Sequence, residues 1–409
     1  MELVQTKPSL LKYRKTDNEH CLTHNRLCGN FSVPLHIAVI TDTWRPDING
    51  VALTCGKMVD GLASLGANIQ LVQPVIQDKN AEPDFDVVSV RGIHLPFYRE
   101  VTIAAPARLR LRQLWIQKRP DVVLIVTEGL LGRSALLTAR KMGIPVISEY
   151  HTNFQQYTRY YGFGVLEKMI NAYLRRFHNH ALVTLVPTDD IRTKLQSKGY
   201  KSLITLARGV DTDLFNPNMR SAKLRHAWSL EADQLAVLYV GRIAPEKNID
   251  LAIKAFRKLE KINSRARFIL VGDGPSREKL EAENPDFIFC GMQTGKDLAR
   301  HYASADLYLF PSLTETFGNV LLEAMASGLA AVCFDYAAAK RHVRNHYNGR
   351  SVPLDNERVF IKAAMDLAAN PGLRTSIGNY ARFSIMEHSW ESVYRSLAGL
   401  IESVLGKTR

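Results

Sequence analysis

Short, mainly apolar runs separated by helix-length segments recur along the chain, and no other feature narrows its fold so far. The first run is HIAVIT, His36 to Thr41, followed by the turn-rich loop DTWRPDING and a segment of helical periodicity from about Val51 to Leu65. NIQLVQP, VVLIVT after Pro120, a helix ending at Gly143, PVISEY, ALVTLVP (Ala181 to Pro187) and a helix ending near Gly199 continue the series. After the linker-like RGVDTDLFNP the pattern starts again, with LAVLYVGR (Leu235 to Arg242), a helix to about Lys261, RFILVGDGP and a helix to about Ala282. DFIFCG, ADLYLFPS, a helix to Ser327 and AAVCFDY complete it. Strands that show no polar alternation are covered on both faces, the condition of a parallel sheet between two layers of helices.

At 409 residues the chain is too long for one ordinary core and suits two. The predicted fold class is therefore α/β, with two Rossmann-like doubly wound parallel-sheet domains facing across a cleft. The seam falls near residues 205 to 216, which gives an N-terminal extension over 1–34 with no apparent core and a first domain over 35–207. A second domain covers 208–388, and an amphipathic final segment over 389–409 is expected to cross back onto the first. Ligands of such sheets bind at the carboxyl ends of the strands, here in the space between the domains.

Several classes of function are excluded or disfavoured by the same sequence. No run of about 18 apolar residues is long enough to span a bilayer, and the first thirty residues lack the apolar centre of a secretory signal. A cytoplasmic protein is expected. Cys21, Cys28, Cys55, Cys290 and Cys333 are odd in number and scattered, unlike a disulfide framework. His20, Cys21, His24 and Cys28 lie close together, but their spacing fits no structural zinc pattern, and no metal is predicted. The net charge of +13 calls for an anionic partner. Between Arg99 and Arg119, the cations Arg99, Arg108, Arg110, Arg112, Lys118 and Arg119 face one acid, Glu100, with Phe97 and Trp115 beside them, a composition suited either to an anionic membrane interface or to a solvated helix face.

The chemistry is concentrated in PSLTETFGNVLLEAMASG, Pro311 to Gly328. Glu315 precedes a helix, Glu323 lies inside it, and Phe317, Gly318, Asn319 and Val320 form its start. The first amides of a helix lack internal partners and sit at the positive end of its dipole, so they suit a diphosphate. Carboxylates on either side can accept hydrogen bonds from vicinal hydroxyls of a sugar and a ribose, although the same residues would also serve a plain helix start. YVGRIAPEKN, Tyr239 to Asn248, adds Gly241 at a strand end with Arg242 next to it and Lys247 five positions on. Those two cations leave the carboxyl end of the second domain's first strand, where an anion would sit.

GRIAPEKN, LVGDGP, ADLYLFPS and ETFGNVLLEAMASG, in this order, resemble family 4 of the retaining glycosyltransferases. TDTWRPDINGV, PVISEYHTNF with QQYTRYYG, and ARGVDTDLFNP extend the resemblance over most of residues 35 to 395. The resemblance implies the GT-B fold, with an N-terminal acceptor-binding domain, and an enzyme that moves a hexose, mannose or similar, from a nucleoside diphosphate sugar to an acceptor hydroxyl. It also implies site roles. Glu315 would hold hydroxyls of the donor sugar and Glu323 the ribose. Arg242 and Lys247, after Gly241, would grip the diphosphate with the amides of Gly318 to Val320, while main-chain contacts around Met292 would read the base. His151 would reach the transferred sugar from the N-terminal domain, and Gly50 would let the first loop approach the phosphates. The chain departs from the family in having Asn49 then Gly50 where paired glycines are usual, and Leu182 where an acid is usual.

The implied reaction retains configuration by front-face attack, with the leaving phosphate as base, because no second carboxylate is placed as a nucleophile. No cofactor is required. Asp211, Thr212 and Asp213 resemble a metal-binding triplet but are read as a turn at the seam, and GDGP lacks the six-residue glycine fingerprint of dinucleotide sites. The N-terminal motifs look most like the branch that glycosylates membrane lipids, including mannosyl and sulfoquinovosyl transferases, which implies a peripheral enzyme on the cytosolic face of a membrane. Two other readings stay open at this point: a sugar-nucleotide epimerase of the same fold, and a non-catalytic basic module binding membrane or nucleic acid. The paired glutamates and cations argue against the module. No nucleic-acid partner is expected, since no basic strand carries interleaved stacking aromatics.

Overall fold

The computed structural model describes residues 30–31, 33–45, 47, 49–75, 85–95, 98–151 and 164–406. Cys21 and Cys28 with their neighbouring histidines, Phe97 and the QQYTRYYG segment lie outside the described residues.

Burial explains the apolar runs directly. Ile37, Ala38, Val39 and Ile40 of β1 (His36–Ile40) have no exposed surface. Ile37 and Val39 enter a core with Met58, Leu62, Leu397 and Ile401, whereas Ala38 and Ile40 enter another with Leu111, Leu131 and Ala135. One strand therefore feeds two cores on opposite faces of its sheet. The other strands of that sheet are β2 (Asn68–Pro74), β3 (Asp86–Val90), β6 (Val122–Ile125), β7 (Val146–Glu149), β8 (Val183–Val186) and β9 (Leu203–Thr205). They are ordered β3-β2-β1-β6-β7-β8-β9, every pair parallel.

The second sheet repeats the plan. It contains β10 (Ala236–Val240), β11 (Arg267–Val271), β12 (Ile288–Phe289), β13 (Leu307–Phe310), β14 (Ala330–Phe334) and β15 (Arg350–Val352), in the order β12-β11-β10-β13-β14-β15 and parallel throughout. Strand order reverses between β1 and β6 and again between β10 and β13, and each reversal opens a crevice at the carboxyl ends. Asp189 and Asp190, just after β8, meet Arg341 and Lys340, just after β14, at 3.5 and 2.9 Å. Both belong to loops or helices leaving carboxyl ends, so the two crevices open toward each other.

The chain crosses back at the end. Val210 donates its amide to the His388 carbonyl, and the helix Trp390–Gly406 packs on the helix Gly50–Ser64, with Tyr394 filling the space at Gly61.

The structure adds elements that the sequence pattern did not reveal. β4 (Gly92–Leu95) and β5 (Tyr98–Ala104) form an antiparallel hairpin, and the helices Ala338–His342, Glu357–Ala369 and Pro371–Ile385 follow β14. One expectation is corrected. Trp115 does not face a membrane interface: it is 1 % exposed, and its indole donates to Gln70 Oε1 at 3.1 Å inside the core. A buried indole N–H requires an acceptor, and Gln70 supplies it from β2. The exposed apolar side chains of that helix, Arg108–Gln117, are Leu109 and Ile116.

Candidate functional site

Two loops that start on neighbouring strands build the second domain's crevice. After β10, Gly241 and Arg242 lead into a 3-10 turn, Pro245–Lys247, and Asn248 takes the left-handed conformation at φ +53°, which asparagine tolerates. After β13, the chain runs from Pro311 to Gly318 and enters the helix Asn319–Ala326. Because β10 and β13 are hydrogen-bonded neighbours, residues 68 apart meet: Thr314 Oγ1 donates to the Glu246 carbonyl at 3.0 Å, and Lys247 Nζ lies 2.6 Å from Glu315 Oε1. Asn248 also donates to the Pro311 carbonyl at 3.3 Å. Arg242 reaches Glu246 at 3.4 Å but keeps 44 % of its side chain exposed, so its guanidinium remains at the crevice surface.

The helix start is open. Gly318 sits at φ +99°, a left-handed backbone that glycine accepts without strain, and a Cβ there would come within 3.1 Å of the Phe310 ring. No side chain caps the first turn, and the Asn319 Oδ1 is buried without a hydrogen-bond partner among the described residues. Donors at the positive end of a short helix, unclaimed by any side-chain cap, are suited to an anion. By contrast, the helix beginning at Gly50 is already capped. Asn49 Oδ1 accepts from the amides of Val51 at 3.1 Å and Ala52 at 2.9 Å, while its side-chain amide donates to Thr43 Oγ1 at 2.7 Å. A Cβ on Gly50 would meet nothing within 4 Å, so that residue fronts open space.

Four tyrosines support the two loops and the strand and helix that flank them, and sequence reasoning missed all of them. Tyr239 Oη donates to the Arg242 carbonyl at 3.0 Å and Tyr308 Oη to the Val240 carbonyl at 3.3 Å, while Tyr336 Oη donates to the Glu315 carbonyl. Tyr302 Oη donates to Glu323 Oε2 at 3.0 Å. Burial pushes the Glu323 carboxyl up to about 7, against which the Tyr302 hydrogen bond works only in part. For Tyr239 and Tyr308 the signal in the sequence was a tyrosine within an otherwise apolar strand, as in YVGR and LYLF, whereas Tyr302 and Tyr336 lie outside the strands.

The remaining expected residues are placed as follows. The Phe317 ring is buried against His342, leaving only its backbone at the turn, where its carbonyl accepts from the Ala338 amide. Val320 is partly buried against the core, and Met292 is 49 % exposed just beyond β12. The loop after β11 passes so close that a Cβ on Gly272, at φ +137°, would lie 1.9 Å from the Gly241 carbonyl oxygen. His151 differs most from expectation. Its ring does not project into open space: the residue is 9 % exposed, with Nε2 2.7 Å from Glu149 Oε2 and Nδ1 3.0 Å from Arg208 Nη2. Glu149 and Arg208, both buried, draw it inward.

Arg242, Lys247, Glu315, Gly318, Asn319, Val320 and Glu323 thus belong to one crevice, while Gly50 and His151 belong to the other sheet. Asp211 accepts the Leu214 amide at 3.0 Å and pairs with Lys57 at 3.1 Å, the geometry of a turn at the seam. Among the described residues no three His, Cys, Asp or Glu side chains are grouped to hold a metal ion. A cavity of about 290 Å³ lined by Lys168, Asn171, Ala172, Arg175, Lys198 and Tyr200 shares no residue with this site.

Comparison with known proteins follows the same division. A family model described as "Glycosyl transferases group 1" matches residues 221–383, and one described as "Glycosyltransferase Family 4" matches residues 48–214. The chain is 30% identical over 379 residues to a GDP-mannose-dependent alpha-mannosyltransferase of Mycolicibacterium smegmatis, covering 91% of this chain and 98% of that one. It is 24% identical over 396 residues to an alpha-monoglucosyldiacylglycerol synthase of Acholeplasma laidlawii, covering 91% and 98%. With a sulfoquinovosyl transferase of Arabidopsis thaliana it shares 33% identity over 252 residues, 60% of this chain and 49% of that one. Among solved structures, sucrose-phosphate synthase from Thermosynechococcus elongatus aligns with a TM-score of 0.76 at 18% identity, over 91% of this chain and 100% of that one, a likeness of fold.

Proposed function

Because the chain belongs to glycosyltransferase family 4 and has the GT-B fold, we propose that it transfers a mannosyl unit from GDP-mannose to a hydroxyl of a membrane lipid, with retention of configuration. The observation that carries the donor half is the uncapped helix start at Asn319, which follows the loop where Glu315 pairs with Lys247, with Arg242 exposed on the neighbouring loop. The diphosphate rests on the amides of Gly318 to Val320, and the two cations take up its second face. Glu315 accepts hydroxyls of the transferred sugar and Glu323 those of the ribose. Each charge-assisted contact contributes about 1.5–3 kcal/mol, so two cations and a helix start stabilise a leaving diphosphate without a metal. As the glycosidic bond breaks, negative charge grows on the leaving oxygen where these donors already point, and the same oxygen takes the acceptor proton. The choice of mannose, guanine and lipid rests on the relatives, whose names include GDP-mannose and diacylglycerol.

Thermal unfolding with GDP, UDP, ADP and their sugars tests the donor assignment, because a ligand at 100 times its Kd adds about 2.7 kcal/mol. GDP and GDP-mannose raise the melting temperature; a chain indifferent to every nucleotide would not be this enzyme. Mass spectrometry of vesicles carrying diacylglycerol or phosphatidylinositol then identifies the mannosylated lipid.

Membrane attachment, on the cytosolic face, is assigned to the helix Arg108–Gln117, where Leu109 is 78 % and Ile116 65 % exposed among the exposed Arg108, Arg110 and Arg112. Leu109 and Ile116 are two turns apart and share a face, so they can enter the interface while the arginines meet headgroups. Each basic residue near an anionic leaflet contributes about 1 kcal/mol, so replacing the three arginines by glutamine weakens vesicle partitioning on the order of 100-fold in low salt. Sedimentation with phosphatidylserine vesicles measures this, and undiminished binding would dismiss that helix as the anchor.

A further inference from the structure

Glu149, His151 and Arg208 form a buried cluster where the first domain meets the seam. Glu149 ends β7, and Arg208 lies beyond β9 in the segment that leaves the first sheet. They are 1 %, 9 % and 6 % exposed respectively. Arg208 Nη2 is 3.0 Å from His151 Nδ1, and its Nη1 is 3.6 Å from Glu149 Oε2 and 3.8 Å from Met58 Sδ. His151 Nε2 lies 2.7 Å from the same Glu149 oxygen, at ion-pair distance but off the line of a hydrogen bond.

A guanidinium has donors and no acceptor. His151 Nδ1 must therefore present its lone pair to Arg208, and the proton of the neutral ring sits on Nε2, on the side of Glu149. Although burial opposes it, the Glu149 carboxyl is held below the ordinary range, and the Arg208 guanidinium 3.6 Å away supplies its countercharge. Glu149 calls for the same tautomer from the other side, since a carboxylate oxygen 2.7 Å from Nε2 needs a proton there, and the Arg208 donors keep a proton off Nδ1. Arg208 is also tied to the other half of the molecule. Its neighbour Gly209 lies against the Trp390 backbone so closely that a Cβ would come within 2.6 Å of the Trp390 nitrogen, and Val210 bonds to His388.

We propose that Arg208 is a positioning residue for sugar transfer, which holds His151 in its Nε2–H tautomer and fixed orientation from the segment that joins the two domains. The proposal rests on the reading that His151 serves the transfer. In that arrangement a shift of the joining segment reaches the His151 ring directly through one guanidinium.

The full-length protein with 15N-labelled histidine tests it by NMR. Wild-type His151 shows an unprotonated Nδ1 and a protonated Nε2. Arg208→Met, which keeps bulk and removes the donors, lifts the constraint on Nδ1, so that the unprotonated Nδ1 signal gives way in part or whole to forms that carry a proton there, and it lowers kcat by about 10- to 100-fold, with KM for GDP-mannose changed much less. Arg208→Lys, which still donates and stays charged, restores the wild-type tautomer and part of kcat. A protonated Nδ1 in the wild-type protein overturns the proposal even if Arg208→Met does not fold, as does an unaltered spectrum in a folded Arg208→Met. Full activity in His151→Ala instead removes the role of His151 itself, and the inference falls with it; a crippled His151→Ala with the wrong wild-type tautomer removes the inference alone.

Discussion

Lys247→Ala lowers kcat/KM for the nucleotide sugar by about 10²- to 10³-fold, with most of the loss in kcat. The ammonium lies 2.6 Å from Glu315, and both side chains are mostly buried, at 16 % and 13 % exposure. In the empty site that pair neutralises itself. When a donor enters, the cation can face a phosphate on one side and Glu315 on the other, and the leaving group's charge is largest in the transition state, so the missing contact is felt there most. The substitution also leaves Glu315 buried without its ion partner, which is costly in its own right. Lys247→Arg separates the two effects, since it keeps the charge but not the compact ammonium geometry, and should retain more activity than alanine. Steady-state kinetics and single-turnover rates decide the matter. A variant that binds the donor several-fold more weakly yet turns over at the wild-type rate would show that Lys247 only helps binding and takes no share in bond breaking.

Glu323→Gln is the second large effect, and it runs in opposite directions for stability and binding. The carboxyl is lifted from an ordinary 4.5 to about 7. Between those values the folded protein holds a proton that the unfolded chain has released, so the contribution of this group to stability falls as pH rises from about 4.5 through 7. Above 7 the cost is complete, roughly 3 kcal/mol for a shift of this size. Glutamine cannot ionise and still accepts from Tyr302, so the variant should melt several degrees higher than wild type near pH 8 and no higher near pH 4. Binding changes the other way. An ionised carboxylate accepts two ribose hydroxyls with charge assistance, and its loss weakens the nucleotide by about 10- to 100-fold near pH 8. In the wild-type protein, affinity also declines as pH falls through about 7, and in the variant it does not. Calorimetry at both pH values measures both quantities. Equal affinity of the two proteins at pH 8 would take the ribose away from Glu323, whatever the melting curves show.

Much of the molecule was legible before any coordinates. Runs such as AVLYV and FILV are apolar on both faces, and only a covered parallel sheet accommodates several of them in series. The restart after RGVDTDLFNP marks the seam, where Val210 now meets the returning chain at His388. Gly318 before an apolar helical run, and Arg242 and Lys247 after a strand, were readable as a helix start and a strand end, because those are local events. The edge strand β3 was not readable, since DVVSV is short and its Val87 is exposed. The hairpin of β4 and β5 carries no glycine turn signal in HLPFYR.

The sequence by itself therefore determined the number and kind of layers, the seam, and where the strand-end and helix-start turns lie, because each follows from periodicity or from groups adjacent in the chain. Only the tertiary structure decided that Lys247 faces Glu315, that Tyr302 stands under Glu323, that Trp115 points to Gln70, and that His151 is turned inward by Arg208. Those meetings depend on which strands lie side by side and which helix covers which face. That choice is made by packing between segments far apart in the chain, and local residue patterns carry almost no record of it.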